Sequence, residues 1–250
     1  MAKSPKSRVD QLLVDRGLAG SRARAQALVM AGQVYAGTRR LDKPGQVITL
    51  DTALTVKGQD HPWVSRGGLK LAEALRVFPL DPAGCTALDL GASTGGFTDV
   101  LLAHGVDRVY AVDVGHGQLA WKLRQDARVV VRERCNARYL TAEDVAAPLD
   151  AIVCDASFIG LETLLPAALA LAAPKAWLVA LIKPQFEAGR AHVERGGVVR
   201  DPAQHAAVCT RIRIWLENQM GWRVLGVEPS PIKGPEGNTE FLIAADRILP

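Results

Sequence analysis

Apolar positions recur along this chain with two periods, and the change between them divides it. Near the front, Val9, Leu12 and Leu13 keep a helical spacing that Gly17 stops, with Arg16 on the same face. Ala25, Leu28 and Val29 repeat that spacing behind Ser21, a residue suited to cap a helix, as far as Gly32. Short extended stretches follow at 34–35 and 46–50, joined by a turn that carries Arg39 and Arg40. His61-Pro62 breaks the pattern, because a proline disfavours continuation of a regular element. A short amphipathic helix over 65–78 comes next. Strands are then predicted at 87–89, 109–112, 128–131, 149–154, 176–182, 222–228 and 240–245. Helical segments fall between them, over 97–103, from Gly115 to Arg124, from beyond Phe158 to Ala173, and over 202–220. Strands alternating with helices predict a parallel sheet covered on both faces, closed by an antiparallel hairpin. The expected organisation is a small α+β module over 1–60, a linker over 61–66 in which Trp63 packs the two parts together, and an α/β body over 67–250.

The stretch ALDLGASTGGFTDVLLAHGVDRVYAVD, residues 87–113, reads as a strand, a glycine turn, a helix and a second strand ending on Asp113. Glycines let a backbone approach a ligand that a Cβ would push away, and the N–H groups opening the helix suit an anionic or hydroxyl-rich group. A carboxylate at the tip of the second strand can accept hydrogen bonds from both ribose hydroxyls of a nucleoside. Ser93 stands where the dinucleotide fingerprint requires its middle glycine, which argues against NAD. Phe97 stands where a P-loop requires lysine, which removes the main charge partner of ATP. What remains is D-x-G-x-x-x-G-G with a downstream acid, the pattern of S-adenosylmethionine-dependent methyltransferases, whose cofactor has no phosphate to cradle.

Composition narrows the setting. The 250 residues are 48% hydrophobic, enough for a substantial core. The four cysteines are widely spaced without C-x-x-C and the five histidines are scattered, so neither a metal site nor a disulfide framework is expected. No apolar run reaches the length of a membrane span and no signal core follows MAKSPKSR; a soluble, cytoplasmic monomer without a membrane partner is expected. Net charge is only +4, but residues 1–60 hold ten Lys/Arg against five Asp/Glu, an excess of +5 that leaves −1 for the rest. A basic front module on a near-neutral body suggests a polyanion held by the one and modified by the other. Arg8, Arg22, Arg24, Arg39 and Arg40 are the candidate phosphate contacts.

In open α/β sheets the ligand lies beyond the carboxyl ends of the strands. Asp155 and Lys183 each follow an apolar run at such an end, Lys70 lies on a helix able to fold over the same rim, and Glu240 is expected to begin the last strand. These four are predicted to cluster, and the loop over 189–201 is expected to cover them.

The front module, with D-x-L-L-V-D-R-G-L, S-R-x-x-A-Q-x-L-V-x-A-G-x-V and D-K-P-G, resembles the S4 RNA-binding domain. The blocks SRGGLKL, LDLGASTGGFTDVLL, VDVGHGQLAWKLRQD, NARYL, CDASFIGL, LIKPQFEAG, GGVVRDP and SPIKGPEGNTEFL look like the TlyA/haemolysin A family of ribosomal RNA 2′-O-methyltransferases, with an FtsJ-like catalytic domain. The likeness covers nearly the whole chain, with departures at His116, Ala156 and Gly160. It implies a Rossmann-like methyltransferase sheet behind an S4 domain, S-adenosyl-L-methionine as cofactor, and ribosomal RNA or ribosomal subunits as partner, with a cytidine ribose as acceptor. It implies a catalytic tetrad of Lys70, Asp155, Lys183 and Glu240. The cofactor contacts it implies are Asp89, Gly91, Ala92, Ser93, Gly95, Gly96, Phe97, Asp113, Asn136 and Asp155. Lys183 would act on the acceptor hydroxyl, Lys70 on the surrounding field, and the acids on orientation, without a metal. Two rival readings stand beside it: an RNA-binding ribosome-assembly factor without catalysis, and a membrane-active haemolysin.

Overall fold

The computed structural model describes residues 5–19, 21–56, 61–146 and 148–247. Contacts divide the chain into two compact units, Met1–Pro62 and Trp63–Pro250. Of the segment 61–66 expected as a linker, His61 and Pro62 thus fall with the first unit and Trp63 to Arg66 with the second. Trp63 packs inside that second unit, under Gly68 and with its ring 6.4 Å from that of His104.

The first unit comprises β1 (Lys6–Arg8), α1 (Val9–Asp15), α2 (Arg22–Met30), β2 (Val34–Ala36), β3 (Arg39–Arg40), β4 (Val47–Thr49) and β5 (Leu54–Val56). Strand β1 pairs antiparallel with β4, while β2 lies between β3 and β5, antiparallel to both. Val9, Leu13, Ala25, Leu28, Val29, Val34 and Leu41 form its core, and each buried Leu or Val contributes about 1.5–3 kcal/mol. Ser21 caps α2 by accepting from the Arg24 N–H at 3.2 Å. Arg16 leaves the helical face expected for it: α1 ends at Asp15, and the guanidinium donates to the carbonyls of Leu50 and Thr52.

The second unit runs α3 (Gly67–Val77), β6 (Thr86–Leu90), α4 (Gly96–Ala103), β7 (Arg108–Asp113), α5 (Trp121–Arg124), β8 (Val129–Glu133), β9 (Leu149–Cys154), α6 (Leu161–Ala170), β10 (Ala172–Ile182), α7 (Pro184–Glu187), α8 (Pro202–Gln219), β11 (Arg223–Pro229) and β12 (Phe241–Asp246). The sheet order is β11-β12-β10-β9-β6-β7-β8. Strands β8, β7, β6, β9 and β10 are parallel, and β12 is inserted antiparallel between β10 and β11. Alternation along each strand divides the core. Leu88, Leu90, Tyr110, Val112, Leu178 and Ala180 face α6 and α8, whereas Ala87, Val109, Ala111, Val179 and Leu181 face α3, α4 and α5. The α/β class with helices on both faces and the closing hairpin are as the pattern predicts.

Strands β1 and β5 and the short helix α7 have no counterpart among the predicted elements, and three boundaries of the second unit differ. The segment from Gly115 is helical only from Trp121, because Asp113 captures the Gly115 N–H and Glu133 that of Gly117. Helix α6 stops at Ala170, and the chain is extended from Ala172. Glu240 precedes the last strand rather than beginning it.

Candidate active site

Strand order reverses at the β6/β9 pair, β7 and β8 lying to one side and β10 to the other, so the crevice of this sheet opens beyond Leu90 and Cys154. The two loops leaving that point are closely packed: a Cβ on Gly91 (φ +77°) would lie 2.9 Å from Ala156 Cα. Gly95 (φ +96°) turns the chain into α4. A Cβ on Gly96 would meet Ser65 Oγ at 2.4 Å and the Gly68 nitrogen at 2.7 Å. That contact lets the first turn of α3 settle on the start of α4, which brings Lys70 to the rim.

Lys70, Asp155, Lys183 and Glu240 meet there. Lys70 Nζ donates to Glu240 Oε2 at 2.6 Å and to Asp155 Oδ2 at 3.2 Å. Lys183 Nζ lies 2.6 Å from Asp155 Oδ1 and donates to the Asp155 carbonyl at 3.1 Å and to Ser157 Oγ at 3.0 Å. The Glu240 side chain is wholly buried, while 19% of the Asp155 side chain is exposed. Two cations and two carboxylates neutralise one another, as buried charges must. Glu240 Oε1 is buried with no hydrogen-bond partner among the described residues, and a Cβ on Gly234 would lie 2.1 Å from it.

All four side chains line a cavity of about 290 Å³. Beside it lies a cleft of about 650 Å³ edged by Asp113, Asn136 and Arg138, within the range of small-molecule sites. Gly91, Ser93, Asp155 and Ser157 are common to both walls. Asp113 is fixed by the Ser93 N–H at 2.8 Å on one oxygen and the Gly115 N–H at 2.6 Å on the other. A carboxylate has about four lone-pair sites, so acceptor capacity remains for two hydroxyls. Asn136 Oδ1 accepts from the backbone and guanidinium of Arg138 at 3.2 and 3.3 Å. Asp89 accepts at one oxygen from the N–H and hydroxyl of Thr98, at 3.0 and 2.6 Å, and its other oxygen is buried without a partner among the described residues. Burial pushes its carboxyl up to about 7, against the Thr98 bonds. Ala92 and Gly96 line the smaller cavity, and Phe97 lines it too with its ring in the core under α4. A nucleoside with an amino-acid tail fits this donor set: an acid held for a ribose, a cleft of matching size, and a turn without side chains in the way.

Several residues of the two cavities were not singled out by sequence reasoning. Ser65 and Arg66 line the smaller cavity, and Arg66 is exposed. Gln118 accepts from Ser93 Oγ at 3.2 Å. Phe158 is 89% exposed at φ +67°, its ring 5.1 Å from that of Phe186, at the edge of the larger cleft. An aromatic held open in a strained conformation is a platform on which a base can stack; its only sequence signal was its position three residues after Asp155. The loop over 189–201 contributes no residue to either cavity. Val198 and Val199 are buried, and Asn238 clips the loop down, accepting from the Val199 N–H at 3.2 Å and donating to Gly197 O at 3.0 Å.

In the first unit the candidate arginines separate. Arg8 and Arg22 both bond the buried Asp10, at 2.8 and 3.2 Å, with Gln26 joining at 3.0 Å. This holds the Asp10 carboxyl well below the usual range, the Arg8 hydrogen bond being the largest cause. Arg40 pairs with Asp42 at 2.6 Å on the surface. Arg24 and Arg39 are exposed without a side-chain partner among the described residues.

Residues 63–247 match the FtsJ-like methyltransferase family and residues 7–53 match the S4 domain. The chain is 48% identical to the "16S/23S rRNA (cytidine-2'-O)-methyltransferase TlyA" of Mycobacterium tuberculosis, over 95% of this chain and 89% of that one. Among solved structures it is similar to the "Putative hemolysin from Streptococcus thermophilus", at 44% identity and TM-score 0.76, covering 98% of this chain and 90% of that one. A "putative S-adenosylmethionine dependent methyltransferase from Listeria monocytogenes", 16% identical with a TM-score of 0.53, shares the fold over 73% of this chain and 99% of that one.

Proposed function

The chain belongs to the FtsJ-like methyltransferase family and carries an S4 domain ahead of it, and on that premise we propose that it methylates the ribose 2′-hydroxyl of a cytidine in ribosomal RNA, using S-adenosylmethionine, in the cytoplasm. One observation carries this reading: the Lys70–Asp155–Lys183–Glu240 cluster and the Asp113 cleft share a wall. The cytidine 2′-O-methylation for which the mycobacterial relative is named supports the acceptor.

When bound, the cofactor would supply a methyl group on a sulfonium: the acceptor oxygen would bond that carbon as the S–CH₃ bond breaks with its electron pair kept by sulfur, and the hydroxyl proton would pass to solvent water in the open cavity. Asp113, Asn136 and the turn after Asp89 hold the nucleoside part, and Asp155 stands on the border of the two cavities. What the protein must then provide is alignment and an oxygen of greater nucleophilicity. Lys183 stabilises the negative charge developing on that oxygen, in a site where burial strengthens the interaction. Lys70 adds to the same field, and the two acids keep both ammonium groups aimed. Residues 1–60 hold the RNA and residues 67–250 carry out the transfer. A membrane-active role has weaker support: no helix among the described residues is long and apolar enough to cross a membrane.

The test is transfer of tritiated methyl groups to ribosomal subunits from cells lacking the enzyme, followed by mapping of 2′-O-methylated positions, beside a liposome-leakage assay. Label on a cytidine ribose is expected, and Lys183→Ala should abolish it while cofactor and RNA affinity stay near wild type. Label on a base or on protein, or undiminished transfer by Lys183→Ala, would overturn the reading.

A further inference from the structure

We infer that Ser157 is a substrate-contacting residue that holds the acceptor oxygen with its own hydroxyl and so carries the charge of Lys183 to it; this rests on the reading above. A lysine ammonium has three N–H groups. Around Lys183 Nζ stand three oxygens: Asp155 Oδ1 at 2.6 Å, the Asp155 carbonyl at 3.1 Å and Ser157 Oγ at 3.0 Å. Only 6% of the lysine side chain is exposed. Two of the three oxygens belong to Asp155, which is itself bound to Lys70. Lys183 lines the tetrad cavity itself, and of the three oxygens around its ammonium the Ser157 hydroxyl is the one on an exposed side chain, with a hydrogen left to donate into that cavity.

Ser157 is exposed and borders both the tetrad cavity and the cofactor cleft. The hydroxyl side chains on that common border are those of Ser93 and Ser157, and Ser93 donates to Gln118 at 3.2 Å. Ser157 Oγ accepts from Lys183, and its own O–H has no acceptor among the described residues. A hydroxyl that accepts from an ammonium is polarised toward donating onward. The resulting line, Lys183 N–H to Ser157 Oγ and Ser157 O–H to the sugar oxygen, fixes that oxygen beside the cofactor cleft and stabilises the negative charge that gathers on it as its proton leaves for solvent. Ser157 takes up no proton and forms no covalent bond; its part is to orient and to stabilise.

The experiment compares wild type, Ser157→Ala and Ser157→Thr in single-turnover methyl transfer to unmethylated ribosomal subunits, with cofactor and RNA affinity measured separately by equilibrium binding. Ser157→Ala should lower the rate at saturating cofactor and RNA by about tenfold or more, with both affinities unchanged. Ser157→Thr, which keeps the hydroxyl, should recover most of the rate. A wild-type rate in Ser157→Ala would overturn the inference, as would a defect confined to cofactor affinity, which would assign Ser157 to the cofactor wall. Absence of transfer by the wild type would instead overturn the reading of function, and this inference with it.

Discussion

Asp89 illustrates how one buried residue makes the stability of the second unit depend on pH. Its carboxyl, ordinarily at 3.8, is pushed up to about 7 by complete burial. Between those values the folded chain keeps a proton that the unfolded chain has lost, so the stability tied to that proton is present below about pH 3.8 and falls as pH rises toward 7. Asp89→Asn cannot ionise, and its side-chain oxygen can still accept from Thr98. Its melting temperature should exceed that of wild type by several degrees at pH 8 and by less at pH 5, as differential scanning calorimetry would read. An equal difference at both values would mean that the orphaned Asp89 oxygen is reached by water. Asp89 was legible in the sequence as the acid that ends the first core strand. Its protonation was not, because desolvation depends on how Thr98 and the strands around it close over the carboxyl.

At the scale of elements, the cluster exists because separate segments are brought close by missing side chains. Gly96 admits the first turn of α3, and Gly234 leaves room for the buried Glu240 carboxylate. A methyl group at position 234 would collide with Glu240 Oε1 at 2.1 Å, and the backbone of the turn before β12 is held by the Gly234 N–H bonding Asn238 O at 2.9 Å. Gly234→Ala should therefore displace the acid that orients Lys70 and lower the methyl-transfer rate by about tenfold or more, with cofactor affinity little changed, since position 234 lies away from the Asp113 cleft lining. Rate and cofactor titration in parallel would check this. In the sequence this glycine reads as ordinary turn chemistry in IKGPEGN. Nothing local tells that its hydrogen faces a carboxylate. The 189–201 loop shows the reverse: its glycines and charges suggest a movable cover, but Asn238 and two buried valines fasten it away from both cavities.

For the whole molecule, the basic excess of the first 60 residues is a surface property only in part. Arg8 and Arg22 are held by Asp10, whereas Arg24 and Arg39 are exposed and unpaired among the described residues. Replacing Arg24 and Arg39 by Gln should flatten the salt dependence of RNA binding by about one to two in log–log slope, at unchanged melting temperature. Replacing Arg8 or Arg22 should lower the melting temperature as well, because a buried carboxylate loses its partners. Binding measured between low and moderate salt, beside thermal unfolding, distinguishes the two pairs. An unchanged slope in the first variant would remove that face from RNA recognition.

The sequence by itself determined the order of the main strands and helices of the second unit and the glycine turn with its acid, because period, capping and turn chemistry act over a few neighbouring residues. It also named the four charged residues that meet at the rim, through strand-end position and family likeness. Only the tertiary structure decided which oxygen each ammonium takes, that the exposed Ser157 hydroxyl meets Lys183 at the cavity wall, that Phe158 is held open, and that two of the front arginines serve a buried aspartate. Those outcomes depend on distances between segments up to 170 residues apart. Side-chain burial and hydrogen-bond partnership are settled by packing, which no local pattern encodes.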